Sequence, residues 1–199
     1  MPRNIDYYFT PQSPWTYLGH ERFDRIARGA GATVKVLPAD FGKVFAASGG
    51  LPLAKRAPQR QAYRLMDLAR FSGQLKLPMN LKPKFFPVAG DDAARLIIAV
   101  SRQEGADAAL KLSGAIFSAV WAHERDIADA ATLRQLLVEA QLPAQRLADS
   151  RSGEVQQQYE ANTARAIETG VFGAPSYVID GEIFWGQDRL EFVEQALRP

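Results

Sequence analysis

The 199-residue chain has no cysteine and only two histidines. The missing thiol excludes a disulfide framework, a cysteine-ligated zinc or iron–sulfur site, a cysteine nucleophile, and thiol–disulfide chemistry carried by the protein itself. Any thiol in its chemistry must come from outside. His20 and His123 stand too far apart to form a metal motif with Asp or Glu, so no metal is expected and both read as helix-surface residues. There is no excess of either charge: 24 Lys plus Arg are interspersed with 22 Asp plus Glu, leaving no field that implies a nucleic-acid partner. No apolar run approaches the roughly 20 residues of a membrane span. Met1-Pro2-Arg3-Asn4 leads into a short apolar segment with no basic-then-apolar leader. A cytoplasmic protein without membrane contact is expected.

What is present suffices for one core, since 47% of the residues are hydrophobic. Residues 5–9 are aromatic and β-branched and stop at Thr10-Pro11, which predicts a buried strand. Ser13 stands as candidate N-cap before Pro14, and Trp15, Leu18, Phe23 and Ile26 carry a helical stripe to Gly29. A second strand over 33–37, closed by Pro38, completes a parallel βαβ unit. From about 58 the texture becomes helical, with segments near 58–73, 91–104, 106–122, 130–139, 143–149 and 152–169. Asp91 or Asp92 and Asp129 are placed as acids at helix starts. Strands 176–179 and 182–185 flank the turn Asp180-Gly181, and a last helix begins near Asp188.

The segment Ser13-Pro14-Trp15-Thr16-Tyr17-Leu18 carries the most chemistry. Unpaired N–H groups at a helix N-terminus stabilise an anion, and a serine hydroxyl there either donates to a thiolate or oxyanion or simply caps the helix. Asp188 likewise either caps the last helix or receives an ammonium group. Asp91-Asp92 resembles a carboxylate pair but reads as capping. Lys82-Pro83-Lys84-Phe85-Phe86 reads as a loop over the site or a packing segment. Trp15, Trp121 and Trp185 either line an aromatic cleft or anchor the core.

The order of these motifs, with Val171-Phe172-Gly173-Ala174-Pro175 and Phe184-Trp185-Gly186-Gln187-Asp188 at the end, resembles the DsbA branch of the thioredoxin fold. In that branch, thiol oxidoreductases carry Cys-Pro-x-Cys where this chain has Ser13-Pro14-Trp15-Thr16. The serine version resembles the 2-hydroxychromene-2-carboxylate isomerases and the related kappa-class glutathione transferases. The resemblance implies an α/β, thioredoxin-like domain over 1–42 and 166–199 with a helical insertion over 43–165, in a homodimer.

The resemblance also implies glutathione as cofactor. Ser13 would hold its sulfur, Ala174 before a cis Pro175 would pair with its peptide part, Gln187 and Asp188 would hold the γ-glutamyl end, and Trp185 and Gly186 would also contact the tripeptide. A small aromatic carboxylate would be the substrate, met by Lys55, Arg56, Phe85 and Trp15, with Lys43 nearby. The family often has Asn in place of Lys55 and Tyr in place of Phe85. Three activities are therefore open: a glutathione-dependent isomerase, a kappa-like transferase or peroxidase, and a non-catalytic thioredoxin-like binding module.

Overall fold

The computed structural model describes residues 3–198. Met1, Pro2 and Pro199, at the outer ends of the two expected thioredoxin-like segments, lie outside the described residues. Strand β1 (Asn4–Phe9), helix α1 (Pro14–Gly29) and strand β2 (Thr33–Pro38) form the expected parallel unit, with Ile5 opposite Val34 and Tyr7 opposite Val36. Strand β3 (Ser176–Ile179) pairs antiparallel with β1, and strand β4 (Glu182–Trp185) pairs antiparallel with β3. The sheet order is β2-β1-β3-β4.

The alternation of β1 divides the core. Ile5, Tyr7 and Phe9 face one side with Val34, Val36 and Tyr177, in a cluster that includes Leu18 and Phe23 of α1. Tyr8 and Val178 face the other side, covered by helix α2 (Phe41–Ser48) and helix α8 (Gly153–Thr169) through Phe41, Val44 and Ala166. Covering both faces at the C-terminal end of β1 removes the polar alternation that Asn4 to Tyr7 still show, hence the unbroken aromatic run Tyr7-Tyr8-Phe9.

The intervening helices are α3 (Pro58–Leu75), α4 (Asp91–Glu104), α5 (Ala106–Trp121), α6 (Ala130–Glu139) and the short α7 (Arg146–Asp149). Asp129 caps α6 as expected, accepting from Thr132 N at 3.0 Å. Three local readings are corrected. Helix α2, and the single 3-10 turn Leu53–Lys55 after it, have too few turns to show a period; Asp40 caps α2 by accepting from Gly42 N. The expected helix 143–149 is α-helical only from Arg146, because Arg146 N and Leu147 N bond three residues back. The last helix, α9, spans Leu190–Ala196, preceded by a 3-10 turn over Gln187–Arg189.

Candidate active site

The sheet register gathers three segments at one edge. Tyr8 is opposite Ser176 and Ser176 is opposite Trp185, so the residues after β1, before β3 and after β4 all leave the sheet at the same end. These are the Thr10–Ser13 loop, Ala174-Pro175 and Gly186. The Gly186 N–H donates to the Pro175 carbonyl at 2.9 Å, tying two of them together.

Ser13 is 7% exposed and caps α1. Its Oγ accepts from Thr16 N at 3.2 Å, and its own hydroxyl proton meets no protein acceptor among the described residues. Pro14 has no N–H, and the Tyr17 N–H is used by the Ser13 carbonyl. Among the described residues the Trp15 N–H therefore remains the unpaired donor beside Ser13, where the helix macrodipole favours negative charge. The Thr16 hydroxyl is buried without a hydrogen-bond partner. This corner offers donors and no carboxylate, which suits a sulfur or oxygen anion.

Across from it the Ala174–Pro175 peptide bond is cis, as the resemblance implies. The Ala174 N–H and carbonyl make no hydrogen bond among the described residues, so both are free to pair with an extended peptide. Trp185 is 51% exposed and its ring lies 4.8 Å from that of Phe172. Gln187 is only 2% exposed: its amide oxygen and its carbonyl both accept from Arg22 of α1, and its Nε2 is buried without a partner. Outwardly this turn presents the exposed Asp188 carboxylate, 3.0 Å from Arg189 Nη1. Asp188 makes no capping bond to α9.

The helical elements close the other side. Helix α5 runs antiparallel to α1: Arg28 meets Asp107 at 3.2 Å, and a Cβ on Gly114 would lie 3.0 Å from His20 Cδ2. Trp121, seven residues beyond Gly114, is thereby carried about 10 Å further, to the Ser13 end of α1. Trp121 is fully buried, with its ring centroid 4.8 Å from that of Phe86 and tilted against it, so it is a core anchor. Trp15 is half-buried with its edge against Phe71 of α3 at 6.0 Å. Gly90, just before α4, abuts the Gln12 side chain.

Of the expected cations, Lys43 is exposed, 4.0 Å from Asp40. Lys55 is exposed. Arg56 donates through Nε to the Leu51 carbonyl at 2.8 Å, with its guanidinium over Phe45. Phe85 is half-buried beneath Lys84. The charge balance gave no warning of Arg64, whose guanidinium lies over Phe86 and Trp121 at 5.4 and 5.8 Å. Burial, then the neighbouring Arg56, hold Arg64 down to about 10, below the usual arginine range. Its position was visible, because residues 64, 68, 71 and 75 share one apolar face of α3.

Two further expectations are corrected. His20 is buried, not a surface residue, because α5 covers that side of α1. Its Nε2 lies 2.9 Å from the Leu110 carbonyl and must carry the proton, so Nδ1 accepts from the Tyr7 hydroxyl at 3.2 Å. His123 is exposed, but in the turn after α5. The Asp91-Asp92 pair does not cap α4, whose N-cap is Gly90. Asp91 accepts from the Tyr159 hydroxyl at 2.9 Å, and Asp92 pairs with Arg95.

No cluster of three metal-ligating side chains occurs among the described residues, and no helix is long and apolar enough to cross a membrane.

The strand order, the cis-proline loop and the capped helix opposite it define a DSBA-like thioredoxin domain. The family model of that description matches residues 4–198, and the chain belongs to this family. Within it, the chain is similar to a 2-hydroxychromene-2-carboxylate isomerase of Sphingobium xenophagum, 30% identical over 199 residues and covering 99% of each chain. It is also similar to the kappa 1 glutathione S-transferase of Rattus norvegicus, 26% identical over 98% of this chain and 91% of that one. A solved 2-hydroxychromene-2-carboxylate isomerase structure superposes with a TM-score of 0.81 at 25% identity, covering 98% of this chain and 94% of that chain. The resemblance seen in the motifs, to isomerases of this kind and to kappa-class transferases, therefore holds along the whole length.

Proposed function

We propose that this chain is a glutathione-dependent isomerase of 2-hydroxychromene-2-carboxylate, or of a similar intermediate of aromatic degradation, giving trans-o-hydroxybenzylidenepyruvate. The observation that carries this reading is the Ser13 hydroxyl, capping α1 with a free proton, in a chain that has no thiol of its own. When bound, glutathione would supply the thiolate for a reversible addition to the conjugated hydroxychromene carboxylate; the ring would open by cleavage of its C–O bond, the bond made single by addition would rotate, and loss of the thiolate would leave the open-chain trans product with glutathione regenerated.

A free thiol has a pKa near 8.5, so only a few per cent is ionised at neutral pH. Ser13 donates to the sulfur, and the Trp15 N–H and the α1 dipole favour its ionised form; each unit of lowering is worth about 1.4 kcal/mol. Ala174 pairs through its backbone with the tripeptide beside Pro175. Trp185 and Gly186 flank its γ-glutamyl end, and Asp188 receives the ammonium group, on a turn that Gln187 and Arg22 hold rigid. Trp15 and Phe85 flank the aromatic substrate, with Lys55, Arg56 and Lys43 as the surrounding cations. In this division the thioredoxin-like segments hold glutathione and the insertion over 43–165 holds the second substrate. The protein works in the cytoplasm as a homodimer, which sedimentation equilibrium tests.

The 26% identity to a kappa-class transferase favours a second reading, a transferase or peroxidase. One experiment separates these: the ultraviolet spectrum of 2-hydroxychromene-2-carboxylate is followed with and without glutathione, for the wild type and Ser13→Ala, with free thiol counted before and after. Conversion only with glutathione, thiol conserved, and a loss of about tenfold or more in kcat for Ser13→Ala, the worth of one pKa unit, supports the isomerase. Consumption of thiol supports the transferase or peroxidase. No turnover and no thermal stabilisation by glutathione leaves a binding module.

A further inference from the structure

Arg64 is half-buried in an apolar setting and unpaired. Among the described residues it forms no hydrogen bond and has no carboxylate within salt-bridge distance. A desolvated charge without a partner is costly, and proteins keep such groups chiefly where a ligand completes them. Its surroundings are aromatic. The guanidinium carbon lies over the Phe86 and Trp121 rings, and these cation–π contacts use none of its N–H groups in a hydrogen bond. None of its nitrogens is sealed from solvent without a partner, unlike the Arg22, Arg125 and Arg146 nitrogens that are.

The place of these free N–H groups is fixed by neighbours. Trp121 stands at the Ser13 end of α1, and Phe86 leads through Gly90 to the Gln12 side chain. One face of α3 carries both Arg64 and Phe71, and Phe71 meets Trp15 two residues after Ser13. The nearby Arg56 adds positive charge but has its Nε committed to Leu51. A planar fork resting on aromatic rings, beside a second cation and near an indole, matches a carboxylate conjugated to an aromatic system better than an aliphatic one. Of the two rings beneath the guanidinium, Phe86 is partly exposed and offers a flat surface to such a ligand.

We propose that Arg64 is the specificity-determining residue for the second substrate, binding the carboxylate of an aryl-conjugated acid through its free N–H edge, while both glutathione carboxylates bind elsewhere. This rests on the isomerase reading for the identity of the acid, but not for the existence of the site.

The test therefore has two arms, on wild type, Arg64→Met and Arg64→Lys. In the first, cinnamate is titrated without glutathione and followed by tryptophan fluorescence. Wild type is expected to bind, Arg64→Met to lose about 10- to 100-fold in affinity, the worth of a charge-assisted bidentate pair, and Arg64→Lys to fall between them. In the second, turnover of 2-hydroxychromene-2-carboxylate and calorimetric affinity for glutathione are measured. KM is expected to rise by a similar factor, with glutathione affinity unchanged.

Absent turnover in the wild type sinks the isomerase reading, whereas Arg64-dependent cinnamate binding still upholds the site. Unchanged cinnamate affinity in Arg64→Met, or a loss of glutathione affinity in its place, overturns the proposal. Arg64→Lys keeps the charge and the aliphatic packing, so it reports even where Arg64→Met folds poorly.

Discussion

Gly173 and Trp185 are locked together: a Cβ on Gly173 would lie 2.1 Å from the indole Nε1 and 2.6 Å from Cε2. Any side chain at residue 173 must push away the exposed ring, although the two are separated by the whole β-hairpin. The same glycine carbonyl accepts from Ser176 Oγ at 2.7 Å, so its backbone also sets the loop carrying Ala174 and Pro175.

For Gly173→Ala we therefore expect displacement of the indole and a stability loss of about 1–3 kcal/mol from overpacking. A shifted tryptophan emission and weakened glutathione affinity should accompany it. Wild-type emission together with wild-type affinity would show that the indole yields at no cost and takes no part in the site.

Ser13→Cys turns the helix terminus into its own reporter, because the chain contains no other thiol. The unpaired Trp15 N–H and the α1 dipole should bring the new thiol below the ordinary value of about 8.5, by one unit or more. The pH dependence of its alkylation by iodoacetamide gives the midpoint directly. A midpoint at or above the ordinary value would remove the physical basis for ionising a sulfur there.

His20 predicts a pH dependence of stability. Burial holds the folded imidazole down to about 4, whereas an unfolded histidine titrates near 6.5. Between these values the unfolded chain binds a proton that the folded chain refuses. Stability is thus complete above about pH 6.5 and falls as pH drops toward 4, by up to about 3 kcal/mol. Urea unfolding at pH 7 and pH 4.5 should show a smaller difference for His20→Gln than for the wild type. Equal differences would mean that His20 charges freely in the folded state.

Gly19 tests how the Gln187 turn is held against α1. Its added Cβ would lie 2.8 Å from Gln187 Cβ and 3.2 Å from the Tyr177 hydroxyl, neither at the end of a long flexible chain. Gly19→Ala should cost about 1–3 kcal/mol despite its better helix propensity. A stabilised Gly19→Ala in thermal unfolding would show that the turn can move off the helix.

Much of the fold was legible because its signals are local. Ser13 before Pro14, Asp129 before its helix and Asp180-Gly181 between two short strands each act within four residues, and all three stand where the residues put them. Helix α2 escaped because two buried residues in eight make no period. His20 was misplaced for a different reason. A helical wheel describes one element, but the first turns of α1 are enclosed by both the sheet and α5, so nearly every side is inside.

By itself the sequence determined the absence of protein thiol chemistry, the βαβ start, the helical run, the closing hairpin and a serine at the head of the first helix. These follow from composition, periodicity and capping, which are properties of neighbouring residues. The tertiary structure alone decided which groups face one another: Tyr8 opposite Ser176, Gln187 on Arg22, Trp185 over Gly173, and Arg64 on Trp121. Those pairs depend on strand register and helix packing between distant segments. A one-residue slip of register would turn Tyr8 and its neighbours to the opposite face while leaving every local signal unchanged.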